Sequence, residues 1–115
     1  MNEFHFTKAV FDKTLQQIPK SNAARIKSVH LVLGEVSELD QSVIRNHWDE
    51  LSMGTPLERA RLHIRLITAE VQCMACFKKY HPMNGTIHCP HCGSFGAKIL
   101  SGEEFHVEHI EMDNE

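Results

Sequence analysis

The stretch Cys73-Met74-Ala75-Cys76 is followed, after twelve intervening residues, by Cys89-Pro90-His91-Cys92-Gly93, and the two pairs use all four cysteines of the chain. A C-x2-C segment forms a tight turn that aims both sulfurs at one point. Two such turns brought together set four thiolates at the corners of a tetrahedron, the geometry of a structural Zn²⁺ with Zn–S of ~2.3 Å. The spacer is a little shorter than the usual zinc-ribbon template. It still accommodates a strand, a turn at Asn84-Gly85 and a strand back. Iron also accepts four thiolates. Two disulfides would need an oxidising compartment, and the opening Met1-Asn2-Glu3-Phe4-His5 has neither the basic region nor the apolar run of a secretory signal. A cytoplasmic location is therefore expected, and a structural zinc at Cys73, Cys76, Cys89 and Cys92 is the first reading. His88 and His91 flank the second pair, either as solvated loop residues or, because imidazole also binds zinc, as alternative ligands.

The rest of the composition fits a small globular chain around this lobe. The 115 residues carry 42% apolar and 23% charged side chains, enough for one modest core. A metal-held lobe of about two dozen residues cannot stabilise itself by burial alone, so the metal supplies its folding free energy. The net charge of −3 argues against a dedicated nucleic-acid binder. No apolar run approaches the ~20 residues of a membrane span. Nine histidines in so short a chain raise the expectation of metal handling.

Outward from the lobe, hydrophobic periodicity predicts a helix over Glu3 to Ile18, with Phe4, Phe11, Leu15 and Ile18 on one stripe and Pro19 as its stop. Arg25 to Leu33 reads as a strand with Val29, Leu31 and Leu33 on one face and Ser28, His30 and Val32 on the other. A second helix starts at the N-cap Asp40, with Leu39 packing on Ile44, presents Ile44, His47, Trp48 and Leu51, and ends at Gly54 before Pro56. Arg61 to Val71 reads as one strand, with Leu62, Ile64 and Leu66 opposite Arg61, His63 and Arg65. The chain leaves the lobe near Ile99-Leu100, turns at Ser101-Gly102 and enters a last strand from Glu104 to Met112. There Phe105 and Val107 share one phase and Ile110 and Met112 the other, which calls for a bulge at Glu108-His109 or a strand covered on both faces. The expected architecture is α+β: two helices on a three-stranded mixed sheet, with a small four-cysteine zinc-ribbon lobe inserted before the last strand. Residues 1–71 plus 103–112 form the α/β domain, 72–102 the lobe, and 113–115 a frayed tail.

Several segments together resemble one family. They are the Met-x-Glu start, Leu33-Gly34-Glu35-Val36-Ser37, Gly54-Thr55-Pro56-Leu57-Glu58, the cysteine lobe, and Ser101-Gly102-Glu103-Glu104-Phe105 leading to Ile110-Glu111. In this order they are similar to the nickel-insertion accessory proteins of hydrogenase and urease maturation, the HypA/HybF family. The resemblance implies a metallochaperone for [NiFe] hydrogenase, and also for urease, with zinc in the cysteine lobe and one Ni²⁺ at the amino terminus. It implies transfer to an apo-enzyme such as a hydrogenase large subunit, with a HypB-type GTPase or urease accessory proteins as partners, and leaves a homodimer open. Carried over, the nickel ligands are the Met1 α-amine, the backbone nitrogens of Asn2 and Glu3, and the Glu3 carboxylate. The family's second residue is a histidine; here it is Asn2, a poor nickel ligand beside an imidazole. His5 is read either as a surface histidine or as a substitute imidazole reaching back from the first turn, and weaker nickel binding than with histidine at position 2 is expected.

The competing reading is a zinc-ribbon adaptor that has lost or weakened its transferable metal. In either case the loop from Phe77 to Met83, with Tyr80 and Met83, is the expected docking surface. An enzyme is not expected. No Ser/His/Asp or Cys/His constellation presents itself, and a metal closed by four thiolates leaves no open position for substrate.

Overall fold

The computed structural model describes residues 3–19, 25–82 and 87–113. The expected turn at Asn84-Gly85, and Met1, Asn2 and Met83, lie outside them. The elements in order are α1 (Glu3–Gln17), β1 (Arg25–Gly34), α2 (Gln41–Ser52), β2 (Arg61–Ile67), β3 (Glu70–Cys73), β4 (Lys79–Tyr80), β5 (Ala97–Ser101) and β6 (Phe105–Asp113). One sheet has the order β2-β1-β6 and a second β4-β3-β5. In the first, the Glu35 amide beyond β1 donates to the Ile67 carbonyl at the end of β2, and the Gly34 amide to the Glu104 carbonyl just ahead of β6. β1 therefore runs parallel to β2 and antiparallel to β6, which makes the sheet mixed.

Two units emerge from the contacts: residues 1–32, 38–65 and 105–115, and residues 33–37 with 66–104. In the first, Val10, Phe11, Ile26, Val29, Leu31, Trp48 and Leu57 form the core. Phe11 meets Trp48 edge-on with ring centroids 4.9 Å apart. The buried stripe of α1 is Thr7, Val10, Phe11 and Thr14, whereas Phe4 is 44% exposed and meets His47 edge-on. The expected stripe is thus rotated, and threonines line it because a helical hydroxyl can bond back to the preceding turn, as Thr14 Oγ1 does to the Val10 carbonyl at 2.8 Å. α2 starts where expected: one Asp40 oxygen accepts from the amides of Ser42 (2.8 Å) and Val43 (3.2 Å). Gly54 beyond its end has φ +77.

β6 shifts phase as anticipated. Phe105, Val107, Ile110 and Met112 all pack on the one core, while Glu108 pairs with Arg65 and His109 stacks on His30 across the other face. Two consecutive side chains on the open face mark a bulge.

The single strand expected over Arg61–Val71 is instead two strands in two sheets, and Leu66 is 60% exposed. The break falls at Thr68-Ala69. Ala69 is buried, its amide donates to Glu35 Oε1 at 2.7 Å, and Gly102 comes so close that a Cβ on it would lie 2.9 Å from the Ala69 Cα. In the second unit β3 is the central strand, antiparallel to β4 (Val71 opposite Tyr80) and to β5 (Val71 opposite Ile99, Cys73 opposite Ala97). Its core is Val71, Cys73, Tyr80 and Cys89. The strand after Cys76 is β4; residues 87–89, where a return strand was expected, are not in a strand.

Candidate metal centre

Each cysteine pair sits in a turn built the same way. The Phe77 amide donates to the Cys73 carbonyl at 3.0 Å, and the Gly93 amide to the Cys89 carbonyl at 2.9 Å. Both closing residues have left-handed backbones, φ +64 at Phe77 and +82 at Gly93. The turns aim backbone N–H groups at the sulfurs: Ala75 (3.3 Å) and Cys76 (3.4 Å) donate to Cys73 Sγ, and His91 (3.4 Å) to Cys89 Sγ. β3 ends in Cys73, the Cys89 amide donates to the Ser94 carbonyl at 2.8 Å, and Met74 donates to Gly96 ahead of β5. Each turn is thereby tied to a strand or to the segment that feeds one.

The four sulfurs lie within 4.8 Å of one another, Cys73 to Cys92 at 3.5 Å and Cys76 to Cys89 at 3.7 Å. These separations are far beyond a disulfide bond of ~2.05 Å. The 3.5 and 3.7 Å separations are close to the ~3.8 Å edge of a tetrahedron whose corners stand ~2.3 Å from a central ion. Sulfur donors in that shape fit Zn²⁺, and the residues that would hold it are Cys73, Cys76, Cys89 and Cys92. The amides of Cys76 and Ala75 bring the Cys73 thiol down to about 6. The Ser94 amide pulls Cys92 the same way, but the crowding sulfurs, Cys73 foremost, outweigh it and push Cys92 up to about 12. Burial opposes ionisation of Cys89, yet the Cys92 and His91 amides carry it below the usual thiol range. Four sulfurs this close want a cation among them before all can ionise.

The flanking histidines are exposed. His88 stacks on Phe95 at 4.8 Å. Tyr80 is not a docking residue: it is 8% exposed, packs with Cys73 and Cys89, and its hydroxyl donates to the Ile87 carbonyl. The exposed apolar side chains of this unit include Met74, Phe77 and Phe95.

Of the residues assigned to nickel, Glu3 and His5 are in the first turn of α1, and Met1 and Asn2 lie outside the described residues. Glu3 Oε2 accepts the Asp40 amide at 3.1 Å, which holds the Glu3 carboxyl below its ordinary range. One carboxylate oxygen is thus engaged with α2, and the other is not in that bond. His5 is exposed and meets Phe6 edge-on. What the sequence reading did not anticipate is the role of Ala75, Cys76, His91 and Ser94 as amide donors to sulfur. The Gly93 that follows the second pair was the available sign of such a turn.

The family model described as "Hydrogenase/urease nickel incorporation, metallochaperone, hypA" matches residues 1–112. Similar curated proteins include the hydrogenase maturation factor HypA of Parabacteroides distasonis, 30% identical with both chains fully covered. That of Caldanaerobacter subterraneus is 28% identical, with 98% of this chain and 100% of the relative covered. Among solved structures, the solution structure of the Ni metallochaperone HypA from Helicobacter pylori superposes with a TM-score of 0.67 at 24% identity over 97% of each chain. A second HypA solution structure gives 0.72 at 23% identity over 100% of this chain and 98% of the other. At that identity the structures speak for the fold; the family rests on a match that leaves out only residues 113–115, and by it the chain belongs to the HypA family of hydrogenase/urease nickel-incorporation metallochaperones.

Proposed function

We propose that this protein carries Ni²⁺ to an apo-enzyme of hydrogenase maturation, with Zn²⁺ at Cys73, Cys76, Cys89 and Cys92 holding the second unit in shape. The observation that carries the reading is the family match over residues 1–112, supported by a sulfur cluster of tetrahedral dimensions. The division of labour follows from ligand chemistry. A metal enclosed by four thiolates exchanges slowly and serves structure, whereas a transferable ion needs a site that is open and few-liganded. Such a site is available at the amino terminus through the Met1 amine and the backbone nitrogens of Asn2 and Glu3. The first unit is then the nickel-binding domain and the second the zinc-binding one. The partners this role requires are a HypB-type GTPase and a hydrogenase large subunit.

Asn2 offers nickel a carboxamide where an imidazole would bind better. Titration of the zinc-loaded protein with Ni²⁺ should show binding that the Asn2→His protein tightens at least tenfold. Transfer of the bound ion to a hydrogenase large-subunit precursor should depend on the GTPase. Equal affinity for the two forms would defeat the role given to position 2. A protein that holds zinc yet ignores nickel from acidic to neutral pH would favour the second reading, an adaptor without transferable metal, which the Asn2 side chain itself supports.

A further inference from the structure

The open face of the β2-β1-β6 sheet carries a row of imidazoles. His63 of β2, His30 of β1 and His109 of β6 stack in that order, with centroids 4.6 and 4.1 Å apart and planes inclined by 14° and 13°. A carboxylate stands against the row: His30 Nε2 is 3.5 Å from Glu111 Oε1. Beneath them Ser28, 2% exposed, donates its hydroxyl to that same oxygen at 2.6 Å and lies 3.1 Å from His30 Nε2. The neighbouring carboxylate of Glu108 is bound to the Arg65 guanidinium. Glu111 is therefore the carboxylate left to face the imidazoles. Its carboxyl is held below the ordinary range by the Ser28 hydroxyl, then by His30 and Lys27.

Cross-strand neighbours on one face of a sheet are ~4.5–5.5 Å apart, so stacking follows from register alone. Register does not explain why three of the nine histidines and an ionised carboxylate share one patch. We propose that His30, His109 and Glu111, with His63 as the third imidazole, bind one first-row divalent cation of the nickel or zinc kind. Imidazole nitrogen with carboxylate oxygen is a donor set these ions accept. Two ligands ~2.1 Å from an ion at a tetrahedral angle are ~3.4 Å apart, close to the 3.5 Å between His30 Nε2 and Glu111 Oε1. The rings as they stand lie side by side. Binding asks the exposed His109 and His63 to turn about their side-chain torsions until a nitrogen of each faces the ion, a rotation between ordinary rotamers. Ser28 is a positioning residue, since its buried hydroxyl orients the carboxylate. This site shares no ligand with the tetrathiolate or with the amino terminus, so it stands or falls apart from the nickel reading above.

The experiment uses the zinc-loaded, full-length protein with its amino terminus acetylated, which removes the terminal amine as a ligand. Ni²⁺ is titrated while the histidine imidazole resonances are followed by NMR. One ion should bind and broaden His30, His63 and His109 ahead of His5, His47, His88 and His91. The exposed His109→Gln and the Glu111→Gln proteins should each bind at least tenfold more weakly, and Ser28→Ala roughly tenfold more weakly. Trp48 fluorescence should be unchanged in all three. Binding of unaltered strength in His109→Gln, or broadening confined to His88 and His91, overturns the proposal. So does an acetylated protein that takes up no nickel.

Discussion

Phe77 and Gly93 occupy the same place in the two metal turns, and the backbone asks the same of both, a left-handed conformation at φ +64 and +82. Only glycine adopts it freely; an L-residue gives up roughly 1–2 kcal/mol there. Phe77 is 66% exposed, so its ring offsets little of that strain by burial. Phe77→Gly should therefore stabilise the zinc-loaded second unit by about 0.5–1 kcal/mol, once the greater freedom of glycine in the unfolded chain is allowed for. Urea unfolding followed through the Tyr80 ring resonances measures it. A lower midpoint would show that the exposed ring contributes packing that outweighs the strain.

α2 depends on one carboxylate at its start. Asp40 accepts from the Ser42 hydroxyl and from the Val43 and Ser42 amides, and these bonds hold its carboxyl below the ordinary range. A depressed folded value means the cap is fully stabilising above the unfolded value of ~3.9 and is lost as pH falls through the lower one. Asp40→Ala should lower the melting temperature of the first unit at neutral pH. Asp40→Asn should keep the cap and remove its share of the acid sensitivity. If the acid loss is as steep in the asparagine protein, the cap is not its source. This cap was legible in the sequence because its signal is local, as was the convergence of the four cysteine sulfurs, which the paired spacing announces. The face of α1 was not, since apolarity alone does not announce that Thr7 and Thr14 can be buried and Phe4 left at 44% exposure. Nor was the break at Thr68-Ala69, which is imposed by segments distant in sequence. Gly34 and Gly102 meet there so closely that a Cβ on Gly34 would lie 2.0 Å from the Gly102 carbonyl oxygen. Backbone cannot give way by that much, so Gly34→Ala should cost more than about 3 kcal/mol and leave little folded second unit, read as lost dispersion in the amide spectrum of β3 and β5. A well-dispersed spectrum would mean the crossing is looser than described. The imidazole row was illegible for the same reason: His30, His63 and His109 become neighbours only once the strand order and the bulge of β6 are known.

The two units differ in what holds them folded, and the chain carries a separate reporter for each. Its one tryptophan, Trp48, lies in the core of the first unit beside Phe11, Val29 and Leu31; its one tyrosine, Tyr80, lies in the core of the second beside Val71, Cys73 and Cys89. The first core is made of aliphatic and aromatic side chains and needs no ion. Half of the second is thiol: without a cation those sulfurs crowd one another at 3.5–3.7 Å with little hydrophobic burial in reserve. A bound zinc contributes on the order of 10 kcal/mol to a lobe of this kind. Removing the metal with a strong chelator under reducing conditions should therefore collapse the Tyr80 ring resonances and those of β3 and β5. Trp48 emission and the amide signals of α1 and α2 should stay native, and zinc added back should restore the rest. Cys73→Ser should reproduce the chelated state at any zinc concentration that leaves the wild type folded, because an alcohol does not replace the thiolate whose ionisation the Ala75 and Cys76 amides favour. Loss of the native Trp48 signal along with Tyr80 would mean that the first unit borrows its stability from the metal, and a Tyr80 environment indifferent to the chelator would mean that the sulfurs are held together without one.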